Sequence, residues 1–391
     1  MIDLNRARLE TPGCQHVTHF NNAGAALMPE PVLAATLNHL HREAQIGAYE
    51  AADKMTTELD EFYNVTSALL NCHPDEIAFV ENATRAWDMA FYAIPLAAGD
   101  RILTSSASYG SNYLALLQRA NQVGAHIEVV PNDESGQISL TALGELLDER
   151  VKLIELTHMP TNGGLVNPAA AVGQLAREAS VFYLLDACQS AGQMPLDVQA
   201  IGCDFLSATG RKYLRGPRGT GFLYVRRERL DELEPPFIDI RAADWLGRNR
   251  YQWQPNARRF ENWERNVAGQ LGLAAAIGYA QQWGLANIWQ RVTGLAELLR
   301  GRLAALPHVT VHDLGRVKSG LVTFTVNGRS AAAVQHYLHL QQINVSVSRI
   351  GSTRLDMEAR GLTELVRASL HYYNSEAEIG RFCDRLAAWR D

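Results

Sequence analysis

Seven short apolar runs recur between residues 77 and 225, and this repetition is what most constrains the fold. The runs are IAFVE, RILTSS, HIEVVP, VKLIELTH, VFYLLD, DFLSAT and TGFLYV. They are rich in β-branched and aromatic residues, and amphipathic stretches such as 139–149 separate several of them. Strands that alternate with helices predict an α/β fold around a mainly parallel sheet. Such a sheet binds ligands beyond the carboxyl ends of its strands, so the residues that follow each run are the first site candidates.

The alternation stops at residues 229–265, a segment that predicts a long loop or a region of short elements. It contains several arginines, two adjacent prolines and the aromatic residues Phe237, Trp245, Tyr251, Trp253, Phe260 and Trp263. Arginines and aromatics of this kind suit either a pocket that selects a substrate or a dimer interface, and the sequence favours neither.

The rest of the chain predicts a second, smaller α+β unit. Helical patterns cover about 266–283 and 286–305, strand patterns follow near 309–313, 320–326, 343–348 and 364–372, and a last helix begins after Asn374. We therefore expect a large domain over residues 15–265 and a small C-terminal domain over 266–391. Residues 1–30 are expected to pack on the small domain or the active site.

Composition restricts the class of partner. The chain has 391 residues, a formal net charge of -6, 47% hydrophobic and 20% charged residues. This balance offers no basic surface for nucleic acid or an anionic membrane, so we expect a small substrate. The N-terminal MIDLNRARLETPG has no apolar core of signal-peptide type, which predicts a cytoplasmic location. The five cysteines form no CxxC pair, so neither a disulfide framework nor a metal site is expected.

Two segments carry the residues that pyridoxal 5'-phosphate requires: LLDACQSAGQ (184–193) and DFLSATGRKYLRGPRGTGFLYV (204–225). This cofactor needs an amine, a carboxylate beside its pyridinium nitrogen, a ring-stacking partner and an anion cradle. Asp186 can pair with the ring nitrogen, and Gln189 can donate to the phenolic oxygen or serve as a polar loop residue. Lys212 can supply the amine and later accept the substrate's α-proton, since the nearby cation Arg211 would lower its pKa.

The phosphate is expected at a strand-to-helix turn, ENATRAWDMAF (81–91). Ala83 and Thr84 begin a helical pattern there, and the free N–H groups and dipole of a helix start favour an anion. Thr84 could instead cap its own helix. Thr209 and Arg211 could complete the cradle.

These motifs together resemble the class V aminotransferase family of fold type I pyridoxal-phosphate enzymes, which includes cysteine desulfurases, C–S lyases and isopenicillin-N-epimerase-like proteins. The resemblance covers almost the whole chain. Its six ordered segments are FNNAGAALMPEPV (20–32), ENATRA, THMPTNGGLVNP (157–168), LDACQ, GRKYLRGPRGTGFLYV and VRASLHYYNSEAEI (366–379). It implies a fold type I large domain with a seven-stranded sheet, a small C-terminal domain and a homodimer.

The resemblance also implies residue roles. Lys212 matches the Schiff-base lysine, Asp186 the pyridinium partner and Gln189 the phenolic-oxygen donor. Thr84, Thr209 and Arg211 match phosphate positions, although desulfurases commonly have His where Arg211 stands. The remaining candidates are Tyr109 for ring stacking, Thr161 or Asn162 beside the ring or substrate, Arg367 as clamp of the substrate α-carboxylate or as a structural salt bridge, Arg349 as a second clamp, and Asn21 or Asn22 as substrate contacts or turn residues.

Two departures from the family decide the expected reaction. Desulfurases carry a nucleophilic cysteine on the loop that here reads SRIGSTRLDMEARGLTEL (348–365), and this loop has none. Cys188 and Cys203 lie beside strands and look buried, which disfavours a protein persulfide. The segment FENWERN (260–266) places Glu264 where many relatives reach the phosphate of a neighbouring subunit. The contribution of a second subunit to the site is therefore open.

We therefore expect β-elimination of a sulfur group from a small amino acid. Transamination and epimerisation begin from the same carbanion and remain alternatives. A non-catalytic relic of the fold is a further alternative, which the intact Asp186, Gln189 and Lys212 disfavour. A nicotinamide enzyme is disfavoured because the chain lacks a glycine-rich fingerprint after an early strand.

Overall fold

The computed structural model describes residues 2–389. Four helices and one short strand precede the main sheet. They are α1 (Leu4–Leu9), β1 (Thr18–His19), α2 (Glu30–Ile46), α3 (Ala48–Asp53) and α4 (Thr56–Leu70).

The main sheet has seven strands, β2 (Ile77–Val80), β3 (Arg101–Ser105), β4 (His126–Val130), β5 (Val151–Thr157), β6 (Phe182–Asp186), β7 (Phe205–Thr209) and β8 (Gly221–Val225). Their spatial order is β2-β8-β7-β6-β5-β3-β4. Strand β8 is antiparallel to both neighbours, and the other adjacent pairs are parallel. Each strand coincides with one of the seven apolar runs, so the predicted α/β fold and mainly parallel sheet are confirmed.

Five helices lie between these strands: α5 (Ala83–Ala93), α6 (Gly110–Val123), α7 (Leu140–Leu146), α8 (Ala169–Glu178) and α9 (Val198–Ile201). They produce a core on each face of the sheet. One core joins Ile154 and Leu156 to Val172 of α8, and the other joins Leu184 to Trp87 of α5 and Leu116 of α6. Burial of such apolar side chains is the main stabilising term for the sheet.

The segment expected to be a long loop or a region of short elements contains a two-stranded antiparallel hairpin, β9 (Ala243–Gly247) and β10 (Arg250–Trp253). Of the two alternatives, short elements are therefore confirmed for these residues. Apolar and polar residues do not alternate strictly in ADWLG and RYQW. Both strands are largely exposed, so no buried face requires an apolar residue at every second position. Trp245 is 78% exposed at this hairpin.

The C-terminal part contains α10 (Val267–Trp283), α11 (Leu285–Ala304), β11 (Val309–Val311), β12 (Leu321–Val326), α12 (Ala331–Leu340), β13 (Ile343–Asn344), β14 (Ser346–Arg349), α13 (Arg354–Ala359), β15 (Glu364–Ser369) and α14 (Glu376–Ala388). Four strands form an antiparallel sheet in the order β11-β12-β15-β14. The predicted small α+β unit is thus present, with the elements near their expected positions.

The expected division of the domains at residue 266 stays a prediction, and the packing favours a later one. Leu273 and Ile277 of α10 belong to the core of the large domain, whereas Leu295 and Leu299 of α11 belong to the core of the small domain. Gly284, which ends α10 with a φ of 78°, separates the two helices. A division there keeps each helix with the core it fills.

The N-terminal segment is tied to both domains. Strand β1 pairs in parallel with β13, and Ser369 N donates to Phe20 O at 2.7 Å. The buried guanidinium of Arg215 donates to Leu27 O at 2.8 Å and to the Tyr372 hydroxyl at 2.6 Å. These contacts hold residues 20–27 beside the carboxyl ends of the large sheet.

Candidate active site

A cavity of about 350 Å³ opens at the carboxyl ends of the central strands. Strands β5, β6 and β7 end at the cavity with Thr157, Asp186 and Thr209, and helices α5 and α6 begin beside it. The residues that line it are Asn82, Ala83, Thr84, Tyr109, Thr157, Met159, Thr161, Asp186, Cys188, Gln189, Thr209, Arg211 and Lys212. This is the edge at which parallel α/β sheets bind their ligands.

Asp186 lies in this cavity, and two hydrogen bonds fix the position of its carboxyl group. The backbone N–H of Cys188 donates to its Oδ1 at 2.9 Å, and Asn112 Nδ2 donates to its Oδ2 at 3.0 Å. The Asp186 side chain is buried, so these two donors compensate for lost hydration of the charged form. A cation that enters the cavity would meet a carboxylate already fixed in position.

Lys212 lines the same cavity, three residues after β7 ends at Thr209. Burial lowers the pKa of its ammonium, Cys188 and Asp186 act in the opposite direction, and Arg211 and Arg367 lower it further. A lowered pKa increases the neutral fraction of the amine near neutral pH. The neutral form is the one that can act as a nucleophile or base.

The start of α5 is arranged to receive an anion. Asn82 is the residue that caps this helix, since its Oδ1 accepts from Arg85 N at 2.9 Å. Thr84 is therefore not the cap, and its exposed side chain is directed to the cavity edge. The amides of Ala83 and Thr84 lie at the positive end of an eleven-residue helix.

Thr209 and Arg211 line the same cavity as this helix start. Thr209 Oγ1 donates its proton to Thr220 O at 3.3 Å, so the hydroxyl has to rotate away from that carbonyl to donate to a phosphate. The guanidinium of Arg211 contacts Gly24 O, and Ala26 N donates to Arg211 O at 2.9 Å. Arg211 thereby joins the N-terminal segment to the cavity.

Tyr109 and Gln189 border the space between Asp186 and Lys212. Tyr109 is 36% exposed, and its ring stands at the start of α6. Gln189 Nε2 donates to Ala23 O at 3.2 Å, whereas its buried Oε1 has no hydrogen-bond partner within residues 2–389. A buried amide with an unmet oxygen is suited to a polar ligand.

Arg367 reaches the cavity through Thr161. Arg367 lies on β15 and is buried, and Thr161, which lines the cavity, accepts a hydrogen bond from it through its carbonyl oxygen at 3.3 Å. Desolvation lowers the pKa of Arg367 to about 10. Asn21 Oδ1 lies 3.5 Å from its Nη2.

Besides Arg367 and Asn21, three further sequence candidates are not part of the cavity lining. Asn162 turns away and donates to Thr353 Oγ1 at 2.9 Å, so of the pair only Thr161 faces the site. Asn22 is fully buried, and its Nδ2 donates to Ser369 O at 2.7 Å, which supports the turn interpretation rather than substrate contact. Arg349 is exposed, and its backbone oxygen accepts from Asn162.

The sequence reasoning missed Asn112, Glu155, Thr157 and Met159, and it did not place Cys188 at the cavity. Thr157 and Met159 line the cavity, and Asn112 with Glu155 lies behind Asp186. Cys203 is buried as expected, but Cys188 is only partly buried and also lines the cavity. A carboxylate inside the apolar run VKLIELTH was the one signal that could have drawn attention to Glu155.

These residues fit pyridoxal 5'-phosphate. Lys212 and Arg211 line the cavity, Arg367 acts electrostatically on Lys212 from outside the lining, and Asp186 is the single carboxylate among the described residues that line it. The excess of positive charge suits a phosphate and a substrate carboxylate. The unmet Gln189 Oε1 and Arg367 Nε, both buried, indicate that further polar partners belong here.

Residues 18–382 match the family model described as aminotransferase class V. The chain belongs to the class V aminotransferase family. Among curated members, a probable cysteine desulfurase from Xylella fastidiosa strain 9a5c is 32% identical over 401 residues, which cover 98% of this chain and 95% of that protein. A probable cysteine desulfurase from Methanothermobacter thermautotrophicus is 28% identical over 382 residues, with 95% and 94% covered.

Solved structures of the family share the fold. The apo structure of cysteine desulfurase from Thermococcus onnurineus NA1 superimposes with a TM-score of 0.92 at 26% identity and covers 99% of this chain and 98% of its own. A C-DES variant with glycine covalently linked to its pyridoxal-phosphate cofactor gives 0.87 at 26% identity, with 97% and 99% covered. Membership in this family makes the chain a pyridoxal-phosphate-dependent enzyme of the lyase or transferase type that acts on an amino acid.

Proposed function

We propose that the enzyme catalyses β-elimination from a small amino acid whose β-carbon carries sulfur. The single observation that supports this most strongly is the cavity itself, in which the buried amine of Lys212 lies without a reactive thiolate beside it. Burial raises the pKa of the Cys188 thiol far above its usual range, so this cysteine stays protonated at neutral pH. The loop 348–365 supplies no other cysteine.

Asp186, Lys212, the start of α5 and Arg211 would hold the cofactor, and Arg367 with Thr161 would hold the substrate carboxylate. When bound, pyridoxal 5'-phosphate delocalises the electron pair that remains when a bond at the α-carbon breaks. Asp186 keeps the positive end of that system in place. Gln189 Nε2 donates to Ala23 O and has a second N–H that would donate to a polar oxygen of the cofactor, whereas its Oε1 can only accept.

Lys212 is proposed to move the proton. Its lowered pKa allows Nζ to accept the α-proton, and the electron pair of that C–H bond then forms a double bond to the β-carbon as the C–S bond breaks. The sulfur leaves with the bonding pair and is protonated. The unsaturated amine that is released takes up water and gives pyruvate and ammonia.

The solved C-S lyase C-DES supports this choice. Its structure with the product cysteine persulfide, described as that of a cystine C-S lyase, is 25% identical to this chain, with a TM-score of 0.86. Many curated relatives are named cysteine desulfurases, and for those a sulfur-accepting thiolate would be required to leave alanine as the carbon product. The carbon product therefore discriminates the two reactions.

The test is product analysis of purified holoenzyme with cystine, cysteine, S-conjugates and cysteine sulfoxides. We expect pyruvate and ammonia in equal amounts from at least one substrate and no persulfide on Cys188 by mass spectrometry. Alanine with a persulfide on Cys188 would establish a desulfurase instead. A keto acid without ammonia would indicate transamination, and a racemised amino acid would indicate epimerisation.

We further propose that the enzyme is a cytoplasmic homodimer. The hairpin β9–β10 supports the oligomer, because Trp245 and Tyr251 pair across it, lie on the same face and are both exposed, which leaves an apolar surface on one chain. No residue of 237–263 lines the cavity of the described chain.

Within residues 2–389, no helix has the length and apolar character needed to cross a membrane.

A further inference from the structure

Behind Asp186 lies a second buried carboxyl group, that of Glu155 on the neighbouring strand β5. Glu155 is 0% exposed. Thr104 Oγ1 of β3 donates to Glu155 Oε2 at 2.6 Å, and Ser108 Oγ donates to the same oxygen at 2.9 Å. No cation is paired with Glu155 in the described part of the chain. A buried, unpaired carboxyl group in the middle of an apolar strand is costly for a fold to keep.

Asn112 connects this group to the cavity. Its Nδ2 lies 3.0 Å from Asp186 Oδ2 and 3.3 Å from Glu155 Oε1, so one amide group donates to both carboxyl groups. Asn112 is 4% exposed and lies in the first turn of α6, three residues after Tyr109. The two carboxyl groups are therefore coupled through a shared donor as well as through their charges.

We propose that Glu155 is a positioning residue, which acts through Asn112 on Asp186 and thereby on the proton of the cofactor's ring nitrogen. A negative charge on Glu155 repels the charge on Asp186. A pyridinium that binds to Asp186 relieves this repulsion, so the charged form of Glu155 strengthens binding of the protonated ring. The protonated form of Glu155 adds nothing to that attraction.

Glu155 is able to change its charge in the relevant range. Burial raises its pKa to about 7, against the opposing hydrogen bonds from Thr104, Ser108 and Asn112, and the charge of Asp186 raises it further. The other titratable group coupled to it is the buried phenol of Tyr183 on β6. The groups that face Glu155 from β3, the following turn and α6 are the neutral Thr104, Ser108 and Asn112.

This inference depends on the cofactor and not on which reaction follows, so its test measures binding alone. The probe is pyridoxamine 5'-phosphate, which has the ring nitrogen but no aldehyde for Lys212. Its dissociation constant is measured by fluorescence from about pH 5.5 to about pH 8.5 for the unmodified apoenzyme and for Glu155→Gln. The ratio of the two constants cancels the titration of the probe and of groups that both proteins share.

We expect this ratio to change about tenfold across that interval in favour of the unmodified enzyme, the change that a one-unit coupling produces. The 1-deaza analogue of the probe, which has carbon in place of the ring nitrogen, should give a ratio that does not vary with pH. A pH-independent ratio with the first probe overturns the proposal. An equal change with both probes also overturns it, because Glu155 would then act on the fold and not on the nitrogen.

Ser108→Ala keeps the test decisive if Glu155→Gln does not fold. This variant retains the Glu155 carboxyl group but removes a hydrogen bond that stabilises its charged form. The midpoint of the binding profile for pyridoxamine 5'-phosphate should move to higher pH. An unchanged midpoint would contradict the proposed role of Glu155.

Discussion

Arg367 and Thr161 join the small domain to the rim of the cavity. Arg367 Nη1 donates to the Thr161 carbonyl oxygen at 3.3 Å and also contacts the Thr161 hydroxyl. Among residues 2–389 no carboxylate pairs with Arg367, and its buried Nε has no hydrogen-bond partner. A buried guanidinium that is held by neutral oxygens has a charge still to be neutralised, and a substrate carboxylate would do this.

Replacement of Arg367 by Lys should lower kcat/KM about 100-fold, mainly through a higher KM, because an ammonium cannot donate two parallel hydrogen bonds to a carboxylate. The absorption spectrum of the bound cofactor should not change. Steady-state kinetics with the best sulfur substrate provide the measurement. Arg349→Lys, at an exposed position outside the cavity, is the matched control and should change kcat/KM by no more than about twofold. Equal losses in both variants would argue against a clamp at Arg367.

Borohydride reduction of the holoenzyme should attach the cofactor to Lys212 and remove the long-wavelength absorbance. Lys212→Ala should show neither change and should lose about 10⁴-fold or more in kcat, because both the amine and the proton acceptor are missing. Peptide mass spectrometry locates the adduct. Lys152→Ala provides the comparison, since Lys152 is exposed at the far end of β5 and should label normally at residue 212. An adduct on another lysine would contradict the assignment.

Arg211→Ala should weaken cofactor binding by about tenfold to 100-fold, the usual cost of one charge-assisted hydrogen bond. The variant also loses the contact between Arg211 and Gly24 O, so the N-terminal segment should become more accessible to proteolysis. Cofactor affinity is measured by absorbance titration of the apoenzyme. Arg218→Ala, in the same glycine-rich turn but exposed, should bind the cofactor normally. Equal affinity in both variants would exclude Arg211 from the phosphate cradle.

Trp245→Glu should separate the proposed dimer. A charge in the centre of an apolar surface costs several kcal/mol once that surface is buried by a partner, whereas on an exposed hairpin it costs little. Sedimentation velocity should show a dimer for the unmodified enzyme and a larger monomer fraction for the variant. Trp263→Glu, at an aromatic residue outside the hairpin that is also exposed, tests whether the effect is specific to the hairpin. A monomeric unmodified enzyme would end the proposal.

The strands and the central site residues could be predicted because each leaves a local signal. Buried parallel strands require continuous apolar runs; Asp186 ends one such run, and Lys212 follows the end of another by three residues. Asn162 and Asn22 could not be placed in this way. Adjacent residues of an irregular loop point in different directions, and only the tertiary contacts of Asn162 with Thr353 and of Asn22 with Ser369 show which way.

The pair Glu155 and Asn112 was missed for a related reason. Glu155 and Asn112 are 43 residues apart in the chain, and neither follows a strand end. The contact between Glu155 and Asn112 depends on the register of the parallel strands, which places Thr104 of β3 beside Glu155 of β5 and Thr157 of β5 beside Asp186 of β6. A register of this kind is fixed by the packing of the whole sheet and has no short sequence motif.

The titration of Glu155 also predicts how stability depends on pH. Its pKa in the folded apoenzyme is about 7, raised from an ordinary value of 4.5, so the folded state binds this proton more tightly than the unfolded state. The contribution of this group to stability is present at about pH 4 and is lost as the pH rises through about 7, by roughly 3 kcal/mol in total. Glu155→Gln cannot lose a proton there, so its free energy of unfolding relative to the unmodified apoenzyme should increase over that interval. Urea unfolding of both proteins measures the difference, and Glu149→Gln, at an exposed carboxylate before the same strand, should show no such trend. A difference between Glu155→Gln and the unmodified enzyme that stays constant with pH would mean that Glu155 does not titrate in the folded protein.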